Sequence, residues 1–196
     1  MPRRAIPFAQ GQYYHIYNRG ASRRSIFLSD ADYRKCISTM KKVATECKLS
    51  MIAYCLLPNH YHWFVRQDGE VAANQLPKRV FGSYSQAFNL KYQGSGTLFE
   101  DRFKVRIVTS DEYLRHLCLY IHGNPVKDRF ALAPELWPYS NYLDWIGVRN
   151  GELVDHAFIQ TFFPDLEQYK KKLLDYLTSK LRLPSAINNY LATLWD

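Results

Sequence analysis

Two histidines separated by a single residue form the densest chemical signal in the chain. His60 and His62 lie in the segment PNHYHWFV, residues 58–65. On a β-strand, alternate side chains point to the same face, and residues two apart are separated by roughly 7 Å at their Cα atoms. Two imidazoles arranged in this way can converge on one divalent metal, because histidine is the commonest protein ligand for metals. Two buried histidines with ordinary hydrogen bonds would show the same spacing, so the pair alone leaves both interpretations open.

A tyrosine and an amide follow in the segment EYLRHLCLYIHGNPVK, residues 112–127. Tyr120 carries a hydroxyl that can act as a nucleophile, and Asn124 lies four residues later, on the same helical face if the helix continues. Pro125, however, predicts that the helix ends near Gly123. The amide oxygen of Asn124 would favour Mg²⁺ or Mn²⁺ over Zn²⁺. Since the chain has 15 tyrosines, a structural role for Tyr120 stays open on these residues alone.

Basic residues alternate with apolar ones in RFKVRIV, residues 102–108. The alternation predicts a strand with one cationic and one apolar face, and a cationic face suits the phosphate backbone of a nucleic acid. A solvated outer face is the alternative. Further arginines follow the first predicted strand. The candidate DNA-contacting residues are Arg19, Arg23, Arg24, Arg102, Lys104 and Arg106.

The charge of the 196-residue chain is uneven, with a net value of +8. Residues 1–110 carry 17 Lys and Arg against 7 Asp and Glu, whereas residues 111–196 carry 9 against 11. A basic N-terminal body indicates a polyanionic partner. No run of 18 apolar residues is present, so no membrane span is expected. Four cysteines without a paired motif favour a reducing cytoplasm.

The elements that must position these residues follow from the hydropathy pattern. Alternating apolar residues predict strands, and apolar residues three to four positions apart predict amphipathic helices. The predicted strands are 12–19, 50–57, 60–67 and 97–108, and the predicted helices are 29–48, 70–92, 111–122, 164–180 and 184–196. A short link between the second and third strands favours antiparallel pairing. This order predicts an α+β sandwich, with a central antiparallel sheet and helices on one face.

Four segments, in this order along the chain, carry a family resemblance. They are YYHIYNRG (13–20), AYCLLPNHYHWFV (53–65), GTLFEDRFKVRIV (96–108) and YIHGNPVKD (120–128), and they lie in about the first two thirds of the chain. Together they resemble the REP-associated tyrosine transposases, relatives of the insertion-sequence-200-like group. These enzymes are single-tyrosine HUH transposases, in which HUH stands for histidine, hydrophobe, histidine.

The resemblance implies a role for each residue of the two clusters. His60 and His62 become metal ligands, Asn124 takes the place of the third ligand, and Tyr120 becomes the nucleophile. The implied cofactor is a divalent metal, Mg²⁺ or Mn²⁺. His15 matches a recurrent position of the first strand, for which a structural role is expected.

The resemblance also implies a fold and an activity. Residues 1–130 would form a two-layer, ferredoxin-like HUH domain, and residues 131–196 a helical extension packed on it. The implied activity is the cutting and rejoining of single-stranded DNA near hairpins through a 5′-phosphotyrosine, in the bacterial cytoplasm at the nucleoid. A domesticated hairpin-binding protein, a replication-initiator-like HUH nuclease and a metal-dependent hydrolase without nucleic acid stay open as alternatives. The sequence is compatible with both a monomer and a homodimer.

Overall fold

An antiparallel sheet of four strands, in the order β2-β3-β1-β4, forms the centre of the molecule. The computed structural model describes residues 6–181 and 183–192. The strands are β1 (Tyr13–Arg19), β2 (Leu49–Leu57), β3 (His60–Gln67) and β4 (Lys104–Val108). The strand that carries the histidine pair is therefore an inner strand, flanked on both sides, as is its neighbour β1. A side chain on an inner strand is held by neighbours on two sides, which fixes its direction better than at an edge.

Seven helices surround the sheet in the described part of the chain. They are α1 (Asp30–Cys47), α2 (Gln75–Lys91), α3 (Asp111–Lys127), α4 (Tyr142–Trp145), α5 (His156–Phe162), α6 (Leu166–Leu177) and α7 (Ser185–Ala192). Helix α1 begins at a capping box formed by Ser29 and Asp32, which satisfies two backbone N–H groups at the start of the helix. The last predicted helix, 184–196, is described only as far as residue 192, because residues 193–196 lie outside the described part.

The sheet has helices against both of its faces. One face, which includes Tyr14, Ile16, Tyr61 and Trp63, belongs to the core formed with α1 and α2. The other face carries His15, Tyr17, His60 and His62, which alternate with those residues along β1 and β3. We call it the histidine face; α3 packs against it, and residues of α4, α5 and α6 belong to the same apolar cluster.

The predicted α+β class with a central antiparallel sheet is thus confirmed. The expectation of helices on one face was incomplete, because β2 and β3 are buried on both of their faces. Both strands are buried at nearly every position. A strand buried on both faces needs a helical layer on each.

Pro125 does not end α3, contrary to the prediction that the helix stops near Gly123. The helix continues to Lys127 with the proline inside it. A proline removes only one backbone donor, and the helix ends two residues later. The carbonyls of the last turn find partners, since the Pro125 carbonyl accepts from the Phe130 N–H at 2.8 Å and the Asn124 carbonyl from the Asp128 N–H at 2.9 Å. Asn124 therefore keeps its helical place one turn after Tyr120.

Strand β4 and helix α2 begin several residues later than the sequence pattern indicated. Strand β4 covers only the end of the predicted strand 97–108, so Arg102 lies before it and outside its alternation. Helix α2 begins at Gln75 rather than at residue 70. Its Pro77 falls in the first turn, where a missing N–H costs no hydrogen bond.

The C-terminal part of the chain is packed closely against α3. Gly123 is the contact point, because a Cβ atom placed there would lie 3.1 Å from Cε1 of Tyr176 and 3.2 Å from Cδ2 of Leu177. A side chain at this position would require Tyr176 and Leu177 to shift by a few tenths of an ångström, so glycine favours the close approach of α6 to α3. No helix in the described ranges has the length and apolar character needed to cross a membrane.

Candidate active site

The structure brings the histidine pair and the predicted tyrosine together. His60 and His62 project from β3 to the same side, with ring centroids 5.2 Å apart. Tyr120, on α3, lies over this face with its hydroxyl 3.5 Å from Nε2 of His62. Its ring stands edge-on to that of His62, with centroids 5.1 Å apart. Two segments 58 residues apart in the chain thus meet at one imidazole.

Asn124 lies one helical turn beyond Tyr120, and both residues line the same cavity. The Asn124 side chain is buried, and its amide nitrogen has no hydrogen-bond partner among the described residues. A buried donor without a partner costs free energy. A half-turn of the amide would exchange nitrogen for oxygen at that place, so the residue can offer an oxygen ligand.

His15 holds the far side of the His62 ring. Its Nε2 lies 3.0 Å from Nδ1 of His62, and the two rings stack with centroids 5.2 Å apart. If Nδ1 of His62 donates the proton of this bond, the ring lone pair of His62 lies on Nε2, toward Tyr120. His15 thus holds the orientation of His62, and the tautomers of the two rings are coupled through this hydrogen bond. The sequence placed His15 on a strand but gave it only a general structural role, because the register that brings it to His62 is a tertiary property.

Asn59 holds the His60 ring in a similar way. The Oδ1 atom of Asn59 accepts a hydrogen bond from Nδ1 of His60 at 2.8 Å. The other ring nitrogen, Nε2, lies 3.3 Å from Oδ2 of Asp128, at the end of α3. Neither Asn59 nor Asp128 was singled out from the sequence. In the sequence, only their positions near the predicted site residues could have indicated them, since Asn59 precedes His60 and Asp128 follows Asn124 by four residues.

Burial keeps the three histidines neutral. It lowers the pKa of both His15 and His60 to about 3 and lowers the pKa of His62 well below its ordinary value. Burial also raises the pKa of the Asp128 carboxyl. At neutral pH each imidazole is therefore uncharged and carries one ring-nitrogen lone pair, which is the state in which histidine binds a metal.

A cavity of about 560 Å³ opens beside the tyrosine. Helix α3 contributes one wall, and the chain from α6 to α7 contributes the other. The lining residues are Tyr120, Asn124, Lys127, Asp128, Tyr176, Ser179, Leu181, Leu183 and Asn188. The C-terminal region, for which the sequence indicated no function, therefore shapes the space in front of the predicted nucleophile.

Two of the predicted DNA-contacting residues lie on the histidine face. Lys104 pairs in register with Tyr17, and Arg106 with His15, so their side chains share that face at the edge of the sheet. Both are exposed, whereas Val105 between them is buried. The predicted cationic face of this strand is therefore present.

The other four predicted residues have different surroundings. Arg102 and Arg23 are exposed, while Arg19 forms an ion pair with Glu100 at 2.6 Å. Arg24 has two buried guanidinium nitrogens, Nε and Nη2, that make no hydrogen bond within the described residues. Its loop is tied to the turn before His60, because the Gly20 N–H donates to the Asn59 carbonyl at 2.8 Å.

Arg115 and His116, near Tyr120 in the sequence, belong to another part of the molecule. They line a separate cavity of about 510 Å³ between α3 and the α5–α6 region. The Arg115 guanidinium lies over the rings of Phe162 and Phe163 and donates to the Phe162 carbonyl. Arg115 is therefore engaged in packing α5 onto α3.

Comparison with known families decides where this arrangement belongs. Residues 9–124 match the model of the family described as "Transposase IS200 like". The chain belongs to the IS200-like transposase family. The matched residues include His15, the HUH histidines, Tyr120 and Asn124, so every side chain of the predicted site lies inside the region that defines membership.

Relatives of this IS200-like transposase agree with the family assignment. A Haemophilus influenzae protein named as a REP-associated tyrosine transposase is 29% identical over 120 residues, which are 54% of this chain and 65% of that protein. The chain thus spans somewhat less than two thirds of that relative's length. A solved structure of a REP-associated tyrosine transposase bound to a REP hairpin matches with a TM-score of 0.64 at 18% identity, over 80% of this chain and 98% of that one. This likeness confirms the fold.

The residues of the site fit the divalent metal that IS200-like transposases generally use. His60 and His62 offer neutral imidazoles held from behind by Asn59 and His15, as metal-binding histidines usually are. Asn124 offers a buried amide that lacks a partner among the described residues. Within the described ranges no three His, Cys, Asp or Glu side chains already form a metal cluster, as expected if one of three ligands is an amide.

Proposed function

We propose that this IS200-like transposase cuts and rejoins single-stranded DNA, with Tyr120 as the nucleophile. The observation that carries the proposal is the placement of the Tyr120 hydroxyl 3.5 Å from Nε2 of His62, in a chain whose family match spans both residues. The chain has many tyrosines, but Tyr120 lies on the helix that faces His60 and His62, and it also lines the cavity beside α3.

The proposed reaction is a transesterification at phosphorus. The Tyr120 oxygen forms a new P–O bond while the bond from phosphorus to the 3′ oxygen breaks, and the tyrosine proton is lost as the 3′-OH is formed. The protein is left joined to the 5′ phosphate of the downstream strand. Because one phosphodiester replaces another, a 3′-OH can reverse the step without a further energy source.

A divalent metal, Mg²⁺ or Mn²⁺, would supply Lewis acidity at the scissile phosphate when it is bound. His60, His62 and Asn124 would hold it. The chain's own contribution is orientation, since His15 and Asn59 keep one lone pair of each HUH imidazole turned toward the site. The neutral state of these rings down to low pH keeps the lone pairs available throughout the physiological range.

The DNA strand is proposed to cross the histidine face from the β4 edge toward Tyr120. Lys104 and Arg106 are exposed on that face, and the buried nitrogens of Arg24 can reach full hydrogen bonding only by binding an anion or water. Arg23 and Arg102 add exposed positive charge. Arg19 contributes less to phosphate binding in this proposal, because Glu100 already neutralises its charge.

A hairpin is the proposed form of the substrate, and the bacterial cytoplasm at the nucleoid the proposed place of action. Support for the hairpin comes from the solved relative, which is described as bound to a REP hairpin. The net charge of +8 favours binding to both single-stranded and paired DNA, because both are polyanions.

The test uses hairpin oligonucleotides with single-stranded flanks, labelled at the 5′ or the 3′ end, with Mg²⁺ or Mn²⁺ or with EDTA. We expect a metal-dependent protein–DNA adduct on a denaturing gel that retains only the 3′ label. Tyr120→Phe should abolish it and leave hairpin binding intact, because the substitution removes only the hydroxyl. Tyr92→Phe, a tyrosine on the other side of the sheet, is the matched control and should form the adduct normally.

Three outcomes would contradict the proposal. An adduct that persists in Tyr120→Phe would move the nucleophile to another residue. Hairpin binding without any adduct, across several hairpins and both metals, would favour the domesticated binding protein instead. Cleavage without an adduct would favour water as the nucleophile, as in a hydrolase.

A further inference from the structure

Asp128 stands in electrostatically unfavourable surroundings. Its backbone caps the C-terminal end of α3, where the helix dipole disfavours negative charge. Its carboxylate side chain is 39% exposed, yet one oxygen lies 3.3 Å from Nε2 of the buried His60. A carboxylate in this position requires a positive partner.

The tautomer of His60 is a second reason why the Asp128 carboxylate needs a positive partner. An amide oxygen only accepts hydrogen bonds, so with Oδ1 of Asn59 facing Nδ1 of His60 at 2.8 Å the ring proton lies on Nδ1. In the neutral ring Nε2 then carries a lone pair. That nitrogen lies 3.3 Å from Oδ2 of the Asp128 carboxylate, and two acceptors at this distance repel each other unless a proton or a cation lies between them.

The distance between these two atoms is that of two ligands on one ion. Ligands about 2.1 Å from a metal, at angles between octahedral and tetrahedral, lie roughly 3.0–3.5 Å from each other. The separation of His60 Nε2 and Asp128 Oδ2 is 3.3 Å. Asp128 also follows Asn124 by four residues on the same helix, so both side chains reach the cavity that contains Tyr120.

We propose that Asp128 is a ligand of the divalent metal, in addition to His60, His62 and Asn124. The inference rests on the proposed function, because it concerns the same metal. It adds one negative charge to a set of otherwise neutral donors, and a hard carboxylate oxygen favours Mg²⁺ or Mn²⁺. His60, His62 and Asp128 do not already form a cluster in the described residues, so the exposed Asp128 side chain moves toward His62 when metal binds.

The test measures Mn²⁺ binding to the full chain without DNA, by isothermal titration calorimetry. Asp128→Asn should weaken Mn²⁺ affinity at least about 10-fold, the lower range found for groups that only support a metal ligand. His60→Ala is the positive control for loss of the site. Glu112→Gln removes an exposed carboxylate from the first turn of the same helix and should bind Mn²⁺ as the natural chain does.

A thermal melt separates a ligand from a simple ion pair. Without metal, Asp128→Asn should melt at the same temperature as the natural chain or higher, because the new amide N–H can donate to Nε2 of His60. Added Mn²⁺ should raise the melting temperature of the natural chain more than that of the variant. An ion pair between Asp128 and a protonated His60 predicts the reverse, with a lower melting temperature of the metal-free variant, and that result would overturn the proposal.

The outcomes also distinguish the two proposals from each other. If Asp128→Asn binds Mn²⁺ like the natural chain while His60→Ala does not, Asp128 is not a ligand and the three-ligand site stands. If the natural chain binds no Mn²⁺, the Asp128 ligand and the metal site are both refuted, whereas formation of the Tyr120 adduct can still be tested in EDTA.

Discussion

At the scale of single residues, the site depends on which nitrogen of each imidazole carries the proton. His62 meets His15 through Nδ1 and Tyr120 through Nε2. Hydrogen bonds behind a metal-binding histidine orient the ring and increase its basicity. A residue of the first strand therefore orients a proposed metal ligand of the third strand, although it does not line the cavity beside Tyr120.

A pair of His15 substitutions tests this control. His15→Gln places an amide oxygen near the position of Nε2 and can still accept from Nδ1 of His62, whereas His15→Leu cannot. We expect Mn²⁺ affinity to fall about 10- to 100-fold in His15→Leu and to be largely restored in His15→Gln, as measured by calorimetry. Equal affinities in the two variants would mean that His15 only fills space.

At the scale of elements, α3 and β4 contribute to the histidine face in different ways: α3 packs over it, and β4 forms its edge. Helix α3 brings Tyr120, Asn124 and Asp128 over it, and its continuation past Pro125 keeps all three on one side. Strand β4, at the edge, presents Lys104 and Arg106 beside β1. The first element supplies chemical groups and the second positive charge, so binding and cleavage should respond separately to substitution.

Substitution of both β4 cations checks this separation. Lys104→Gln with Arg106→Gln should weaken hairpin binding, because two charges that neutralise phosphates are removed. The slope of log affinity against log salt should become shallower by about 0.7 for each phosphate of a single strand that the variant no longer neutralises. The slope is measured by fluorescence anisotropy at several salt concentrations.

The matched control is Lys35→Gln with Lys78→Gln, which removes the same charge from exposed positions on α1 and α2. These helices cover the opposite face. Similar changes of slope in the two double variants would show that only net charge matters and that the β4 edge has no special place in DNA binding.

At the scale of the whole molecule, four of the described histidines are buried, three of them on strands of the sheet and one in helix α3. They are His15, His60, His62 and His122. Burial lowers the pKa of His122 to about 4, and this ring joins Tyr169 of α6 to Asn141, at distances of 2.6 and 3.0 Å. The site and the attachment of the C-terminal region therefore respond to acid in the same direction.

Acid should destabilise the fold well before carboxylates titrate. Below pH 6.5, the ordinary pKa of histidine, the histidines of the unfolded chain take up protons, whereas the buried histidines of the folded chain stay neutral. The unfolded state then binds more protons, so the free energy of unfolding falls as pH falls, by up to about 1.4 kcal/mol per pH unit for each histidine. Urea unfolding of the metal-free chain between pH 7.5 and 5 measures this. A midpoint that stays constant below pH 6.5 would contradict the burial of neutral histidines.

Most of the elements could be predicted from the sequence, because their signals are local. The bounds of β1, β2, β3 and α1 agree with the predicted ranges to within one residue. Alternation marks β3, and Ser29 marks the start of α1. The prediction for α3 was wrong at Pro125, because a proline near a helix end removes only one hydrogen bond, and whether the remaining carbonyls find partners depends on the chain that follows.

By itself, the sequence determined the chemical groups and their order. The motif around His60 and His62, the tyrosine, and the amide four residues later identify the family, since these groups are adjacent in sequence or on one helix. Only the tertiary structure decided which groups act together. The contacts of His15 with His62, of Asp128 with His60 and of the C-terminal region with the cavity join positions far apart in the chain. Such contacts arise from strand register and helix packing, which no local pattern of residues encodes.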